Sequence, residues 1–259
     1  MSVFEKIEKG KAVVVELPVY RGLEAIFKMV KLDVDGFLIP DVPTGRVGPD
    51  GLALSSKLPD ARKLILAQAA GRRDLSSNLS RIEGGIILGL NTFYVVQGDV
   101  KKGCGVTATG LIRQVKEMFT EAKVGASIFP GRVNEAELTI RKLDAGVDFF
   151  ITQICFEAKP LLKIMDEVGI EKPLLLALTV NIKPNNLERM AELGVSIPPD
   201  VYQRIKSSKE PKVESLKLGL EIYQEVMEGA RCPIGLYLIP FGSSEELKKA
   251  LAYLNNPLA

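Results

Sequence analysis

Residues 149–180 read FFITQICFEAKPLLKIMDEVGIEKPLLLALTV, and this stretch decides the fold class of the chain. Two short apolar runs, Phe149–Phe156 and Leu174–Val180, enclose the amphipathic segment Lys159–Val168. Strands that alternate with helices in this way build parallel βαβ units, because a parallel neighbour can be reached only by a crossover connection. The stretch therefore predicts an α/β fold with a parallel sheet.

The same alternation runs along the whole chain and gives eight predicted strands. The other six are Ala12–Val19, Gly36–Asp41, Lys63–Ala69, Thr92–Gly98, Val124–Phe129 and Ile234–Ile239. An open doubly wound sheet would carry a Gly-rich fingerprint after its first strand, and VELPVYRG (residues 15–22) is not one. We therefore predict a closed (β/α)8 TIM barrel that spans residues 1–259 as one domain.

The predicted helices follow the strands. They are Leu23–Lys31, Ser76–Leu88, Thr109–Phe119, Glu135–Leu143, Lys159–Val168, Asn186–Leu193 and Glu245–Leu254. Two of them are expected to begin at a capping box, Asn134 with Glu137 and Ser243 with Glu246. Residues 196–229 predict extra helices between strands 7 and 8. Residues 42–60, with three prolines and three glycines, predict a long ligand loop with one helical turn near Leu52–Ser56.

Composition excludes several classes of function. The chain has no histidine, so its proton carriers must be Glu, Asp, Lys, Tyr or Cys. A net charge of +2, without a basic run interleaved with aromatics, argues against nucleic acid as a partner. Three widely separated cysteines argue against a disulfide framework or a zinc site. No apolar run is long enough to cross a membrane, so we expect a cytoplasmic protein with a small-molecule partner.

Polar residues near the ends of the predicted strands are the candidates for chemistry, because barrel enzymes place their active sites there. Glu16 interrupts an apolar strand, where burial would raise its pKa and make it a usable general acid near neutral pH. The amides of Gln153 and Asn181 could orient a heterocycle through paired hydrogen bonds. Each of the three could instead satisfy neighbouring backbone groups.

A second group of candidates could bind a cofactor. Gly98 allows close backbone approach, and the adjacent Asp99 could accept hydrogen bonds from a ribityl, ribose or pterin group. Asp41 ends the second strand in a similar way. Arg141 and Lys142 could reach a phosphate, although a basic pair near a helix C-terminus also suits the helix dipole. Asp41 and Asp99 could equally be ordinary turn residues.

Several segments, taken in order, resemble the methylenetetrahydrofolate reductase family. The best match is KLDAGVDFFITQICFE (residues 142–157), which is similar to the family's sixth strand and the turn before it. Supporting matches are VVVELPV (13–19), PDVPTGRVGPDGLAL (40–54), VVQGDVKKG (95–103) and NLERMAELGVSIPPDVYQRI (186–205). No one segment is decisive, and their order along the chain carries the resemblance.

The resemblance implies roles for five residues. By position, Glu16 would protonate the folate, Gln153 would contact the pterin, and Asp99 would lie between flavin and folate. Arg141 and Lys142 would reach the phosphates of FAD. The implied reaction reduces a methylene group on a tetrahydrofolate-type carrier to methyl by hydride transfer from the flavin, with NADH or another reductant as electron source.

Two other functions stay open because the chain departs from the family pattern. Pro40 stands where the family has threonine, and Phe241 stands where it has an arginine that helps to hold folate. The barrel could instead serve a flavin-independent, pterin-dependent methyl transfer, or act as a non-catalytic pterin-binding subunit. The family also suggests a homo-oligomer or a redox partner subunit.

Overall fold

The computed structural model describes residues 1–41, 47–98, 103–180, 182–192 and 195–255. Its centre is a closed barrel of eight parallel strands, in which each strand pairs with the next and the last pairs with the first. The strands are β1 Val13–Glu16, β2 Gly36–Ile39, β3 Leu64–Ala69, β4 Thr92–Val96, β5 Lys123–Ile128, β6 Phe149–Thr152, β7 Leu174–Val180 and β8 Ile234–Pro240. The predicted barrel is confirmed.

Several strands end earlier than predicted, β6 by the most, at Thr152, and in the first two strands the cause is proline. The N–H of Leu17 still donates to Leu38 O at 2.9 Å, but Pro18 has no N–H with which to continue the ladder. Pro40 ends β2 for the same reason. The prolines therefore turn the chain outward just after the residues that reach the mouth of the barrel.

Helices surround the barrel at the predicted positions, and one N-terminal helix was not predicted. The helices are α1 Val3–Glu8, α2 Leu23–Met29, α3 Gly51–Ser55, α4 Leu75–Ile87, α5 Ala108–Met118, α6 Glu135–Asp144, α7 Lys159–Val168, α8 Pro184–Glu192, α9 Pro199–Ser207, α10 Pro211–Gly229 and α11 Ser244–Asn255. α9 and α10 confirm the predicted extra helices before β8. No helix within the described ranges is long and apolar enough to cross a membrane.

Of the two predicted capping boxes, one is confirmed and one is wrong. The N–H of Glu246 donates to Ser243 Oγ at 3.2 Å, and the Ser243 N–H donates to the Glu246 carboxylate at 2.9 Å. Asn134 instead adopts left-handed backbone, with φ of 61°, and its side chain makes no capping bond. A capping side chain reaches the first turn only from extended backbone, so Asn134 cannot do so.

The unpredicted helix α1 closes the N-terminal end of the barrel. Val3 and Ile7 are fully buried and pack in the barrel interior with Phe149 and other inward-facing side chains. The ring of Phe149 fills the space that Gly125 leaves, since a Cβ there would lie 2.4 Å from the ring. With only six residues, α1 is too short to show a helical repeat.

Candidate active site at the barrel mouth

A cavity of about 830 Å³ opens at the C-terminal end of the barrel, a volume in the usual range for small-molecule sites. The residues that line it come mainly from the ends of β1–β5 and β8 and from α5 and α6. They are Glu16, Leu38, Pro40, Asp41, Ala67, Ala69, Tyr94, Val96, Gln97, Gly98, Thr107, Ala108, Thr109, Ser127, Phe129, Arg132, Leu138, Arg141, Lys142 and Tyr237.

The floor of this cavity holds one carboxyl group and two phenols. Strand alternation turns Val14 and Glu16 to the same side of β1, and Val14 pairs in register with Tyr237 of β8. The hydroxyl of Tyr237 donates to Oε2 of Glu16. Tyr94 of β4 lines the same floor. The barrel thus brings together groups that are more than 200 residues apart in sequence.

Burial sets the protonation of these groups. It raises the pKa of Glu16, and the hydrogen bond from Tyr237 only partly opposes that rise. Burial and the nearby Glu16 charge also raise the pKa of Tyr94, while its hydrogen bond with Ser127 acts in the opposite direction. Both phenols therefore remain protonated near neutral pH, and Glu16 holds its proton to higher pH than an exposed glutamate.

Asp41 lies in the β2 side of the cavity wall, where its carboxylate is fully engaged. Arg73 donates to it through Nη1 at 2.6 Å and Nη2 at 3.0 Å, and the Ala69 N–H donates at 2.9 Å. Burial alone would raise the pKa of Asp41, but the hydrogen bonds from Arg73 and Ala69 outweigh burial and hold the pKa below its usual value. Asp41 therefore fastens the end of β2 to the segment after β3.

The opposite wall, formed by β5 and α6, carries three cations. Lys142 is buried, and its Nζ donates to Ser127 O at 2.6 Å and to Glu135 Oε1 at 2.8 Å. Burial lowers the pKa of Lys142, against the influence of Glu135. Arg132 approaches the other oxygen of Glu135 at 3.5 Å and lies 4.6 Å from the ring centroid of Phe129.

Arg141 differs from Lys142 although the two are adjacent in sequence. Its guanidinium pairs with Glu137 one turn earlier on α6, and its side chain is 62% exposed. Lys142 instead points into the interior of the wall. Successive helical residues face directions about 100° apart, which explains why one cation lies at the rim and the other inside.

The structure brings five of the predicted site residues together and separates one. Glu16, Asp41, Gly98, Arg141 and Lys142 all line the cavity. Gln153 does not: its Oε1 accepts a hydrogen bond at 2.9 Å from the N–H of the next residue, Ile154. Asp99 and Asn181 lie outside the described residues. The functional roles predicted for all of them stay predictions.

Gly98 has a geometric reason to be glycine. Its φ is 83°, and a Cβ there would stand 3.0 Å from Cβ of Ala69. Backbone with this conformation beside a cavity lets a ligand approach the main chain. The expected close approach at this turn therefore has a physical basis in the fold.

Sequence reasoning missed other residues of the cavity, among them Tyr94, Ser127, Phe129, Arg132 and Tyr237. The two tyrosines carried a usable signal, because each interrupts an apolar strand with a polar group, as Glu16 does. Ser127, Phe129 and Arg132 gave none, since such residues are ordinary at the end of a strand and in the loop after it.

Comparisons with known proteins relate this chain to one enzyme family. The family model for methylenetetrahydrofolate reductase matches residues 94–237, more than half of the chain. A protein of Caenorhabditis elegans described as a probable methylenetetrahydrofolate reductase (NADPH) is 24% identical over 200 residues. That match covers 68% of this chain and 30% of the relative, so the chain spans less than a third of its length.

Solved structures show the same barrel. An uncharacterized protein from Clostridium thermocellum, which binds two copies of 5-methyl-5,6,7,8-tetrahydrofolic acid, has a TM-score of 0.74 and 17% identity, with 98% of both chains covered. A 2,3-dimethylmalate lyase of the PEP mutase/isocitrate lyase superfamily has a TM-score of 0.54 and 15% identity, with 97% of this chain and 82% of that chain covered. At these identities the likeness concerns the fold alone.

Proposed function

This chain belongs to the methylenetetrahydrofolate reductase family, and we propose that it reduces the methylene group of a tetrahydrofolate-type one-carbon carrier to methyl. The observation that carries the proposal is Glu16, a carboxyl group with a raised pKa on the floor of a ligand-sized cavity. A neutral carboxylic acid is the proton donor that this chemistry needs in a chain without histidine.

Glu16 would act on the carrier when the methylene bridge opens. The pterin would lie over the floor, where Glu16 donates a proton and the phenols of Tyr94 and Tyr237 keep the surroundings uncharged. The small side chains of Ala67 and Ala69 leave room for a flat heterocycle beside the acid. The buried floor has a lower dielectric than bulk water, which strengthens each polar contact to the ligand.

The cationic wall fits the anionic part of a flavin nucleotide. Arg132, Arg141 and Lys142 supply three positive charges against the two carboxylates of Glu135 and Glu137, which leaves a net charge of +1 on this wall. Arg132 and Arg141 keep 52% and 62% of their side chains exposed and can donate to phosphate oxygens. A bound flavin would supply the hydride.

A second candidate function uses the same cavity without flavin. The structurally similar protein from Clostridium thermocellum binds two copies of 5-methyl-5,6,7,8-tetrahydrofolic acid. The glutamate tail of a folate is also anionic, so Arg132 and Arg141 could hold it in place of a diphosphate. This alternative makes the chain a folate-binding or methyl-transferring protein.

One titration separates the two candidates. Absorbance spectra of the purified protein, recorded before and after addition of FAD, show whether flavin is retained, and calorimetry with tetrahydrofolate reports the pterin site. Flavin that is bleached by a reductant and reoxidised by methylenetetrahydrofolate would support the reductase. Folate binding without flavin uptake would support the second candidate, and binding of neither ligand would contradict both.

Variants of Arg132 and Arg141 show which ligand the cationic wall holds. We expect Arg132→Gln combined with Arg141→Gln to weaken FAD binding about tenfold for each charged hydrogen bond lost, with little change in pterin affinity. Arg113→Gln on the exposed face of α5 is the matched control. If the double variant weakens folate rather than FAD, the wall holds the folate tail.

A further inference from the structure

We infer that Tyr237 is a positioning residue that keeps the proton of Glu16 on Oε1, the carboxyl oxygen presented to a ligand in the cavity. The inference deepens the proposed function and rests on it, because Glu16 is the proton donor there. Tyr237 acts through Glu16 and does not itself have to touch the substrate.

The direction of the hydrogen bond follows from counting donors and acceptors. The Tyr237 hydroxyl could donate to Glu16 or accept from it. To accept, it would need another acceptor for its own hydrogen. Within the described part of the chain, Glu16 Oε2 is the one acceptor found for this buried hydroxyl. An unpaired buried O–H is unfavourable, so Tyr237 donates.

That direction determines which oxygen of Glu16 carries the proton. An oxygen that accepts the phenol hydrogen serves as the carbonyl oxygen of the acid, so the proton belongs on the other oxygen. No hydrogen bond to Oε1 is found from any described residue, and Glu16 lines the cavity. The proton therefore lies on the oxygen that is free for a ligand.

The barrel holds this arrangement in place. Tyr237 is only 5% exposed and stands in a strand that is paired on both sides. Tyr94, across the floor, has its hydrogen bond with Ser127 and not with Glu16. The two tyrosines thus differ in their partners while sharing the cavity, which makes Tyr94→Phe the matched control for Tyr237→Phe.

Other titratable groups around the cavity must be separated from Glu16. They are Tyr94 and Tyr237 on the floor, Tyr20 after β1, Asp41 at the end of β2, and Glu135, Arg132, Arg141 and Lys142 on the β5–α6 wall. The pKa of Asp41 is lowered and those of Tyr94 and Tyr237 are raised, so these three do not titrate in the range expected of Glu16. The variant Glu16→Gln identifies the Glu16 signal directly.

The experiment measures the infrared carbonyl band of protonated Glu16, assigned by its loss in Glu16→Gln, together with the pH profile of methylenetetrahydrofolate reduction. In Tyr237→Phe the band should move to higher frequency, because the carbonyl oxygen loses its hydrogen bond. The alkaline fall in activity should move up by about one pH unit, since the phenol no longer stabilises the carboxylate. The kcat should fall about tenfold with little change in KM. Tyr94→Phe should leave both the band and the alkaline limb in place.

A second measurement covers the case in which Tyr237→Phe fails to fold. Biosynthetic replacement of the tyrosines by 3-fluorotyrosine keeps the shape of the ring and strengthens the donor, so the band should move to lower frequency, also in the Tyr94→Phe background. A band that is unchanged in Tyr237→Phe, or in the fluorinated protein where that variant does not fold, would overturn the inference, as would the absence of any protonated Glu16 band. A wild-type protein that does not reduce methylenetetrahydrofolate, with the band shifts as expected, would instead count against the proposed function.

Discussion

The two ends of the barrel are built from the same strands but have opposite chemistry. At the N-terminal end, Val3 and Ile7 of α1 and the ring of Phe149 fill the interior with apolar groups. At the C-terminal end, Glu16 and Tyr237 face an open cavity. On β1 the change takes place within two residues, from Val14 to Glu16. Apolar packing at the N-terminal end stabilises the barrel. The C-terminal end can therefore carry buried polar groups that do not themselves add to stability.

The largest expected effect tests the open end. Glu16→Gln should lower methylenetetrahydrofolate reduction by about 10²- to 10⁴-fold while pterin binding is retained, because the amide still accepts from Tyr237 but carries no transferable proton. Steady-state rates and ligand calorimetry measure the two quantities. Glu24→Gln, at an exposed glutamate of α2, serves as control. Unchanged turnover in Glu16→Gln would remove Glu16 from the mechanism.

The next effect belongs to the closed end. Phe149→Ala should lower the free energy of unfolding by about 4 kcal/mol, because it empties the space over Gly125, and should leave ligand affinity unchanged in the folded protein. Urea unfolding measures the loss. Phe4→Ala is the matched control, since its ring lies 6.1 Å from that of Phe149 but is only partly buried. Equal losses of unfolding free energy in the two variants would contradict the view that Phe149 is the centre of the core at this end.

A third prediction compares a half-buried ion pair at the mouth with an exposed one. Arg73→Met should cost about 3 kcal/mol at pH 7, because it leaves the Asp41 carboxylate buried without its partner. Arg62→Met, whose pair with Asp60 is largely exposed, should cost less than about 1 kcal/mol.

The effect of Arg73→Met should also depend on pH. The folded-state pKa of Asp41 lies below its usual value, so the stability from this pair is present above the ordinary pKa and is lost as pH falls through the lowered one. Unfolding curves at several acidic pH values should therefore converge for the wild type and Arg73→Met. A difference that persists at the lowest pH would point to packing and not to charge.

The smallest effect concerns the loss of folding stability that buried Glu16 causes in the wild type as pH increases. The folded-state pKa of Glu16 is raised, so the unfolded chain ionises first as pH increases, and stability falls between the ordinary pKa and the raised one. Glu16→Gln should remove this fall and match the wild type at low pH. Thermal unfolding across the pH range measures it, and parallel curves would mean that Glu16 is solvated like an exposed acid.

Parts of the candidate site could be predicted from the sequence because they break a local pattern. Glu16 interrupts an apolar strand and Gly98 stands at a turn, so the amino-acid sequence alone points to both. Tyr237 also interrupts an apolar strand, but tyrosine is common in strands and the interruption is easily missed. The hydrogen bond from the Ile154 N–H to Oε1 of Gln153 could not be predicted from the sequence, because it depends on how the chain after β6 folds back.

The sequence by itself determined the (β/α)8 barrel, because strand and helix periodicities are local and recur along the chain. It also excluded an imidazole as a proton carrier, because the chain has no histidine. Only the tertiary structure decided that Tyr237 donates to Glu16, that Lys142 is neutralised by Glu135, and that α1 closes the barrel. Those contacts depend on barrel closure, which brings the first and last strands together. They also depend on how side chains from distant parts of the chain pack, which local sequence patterns do not specify.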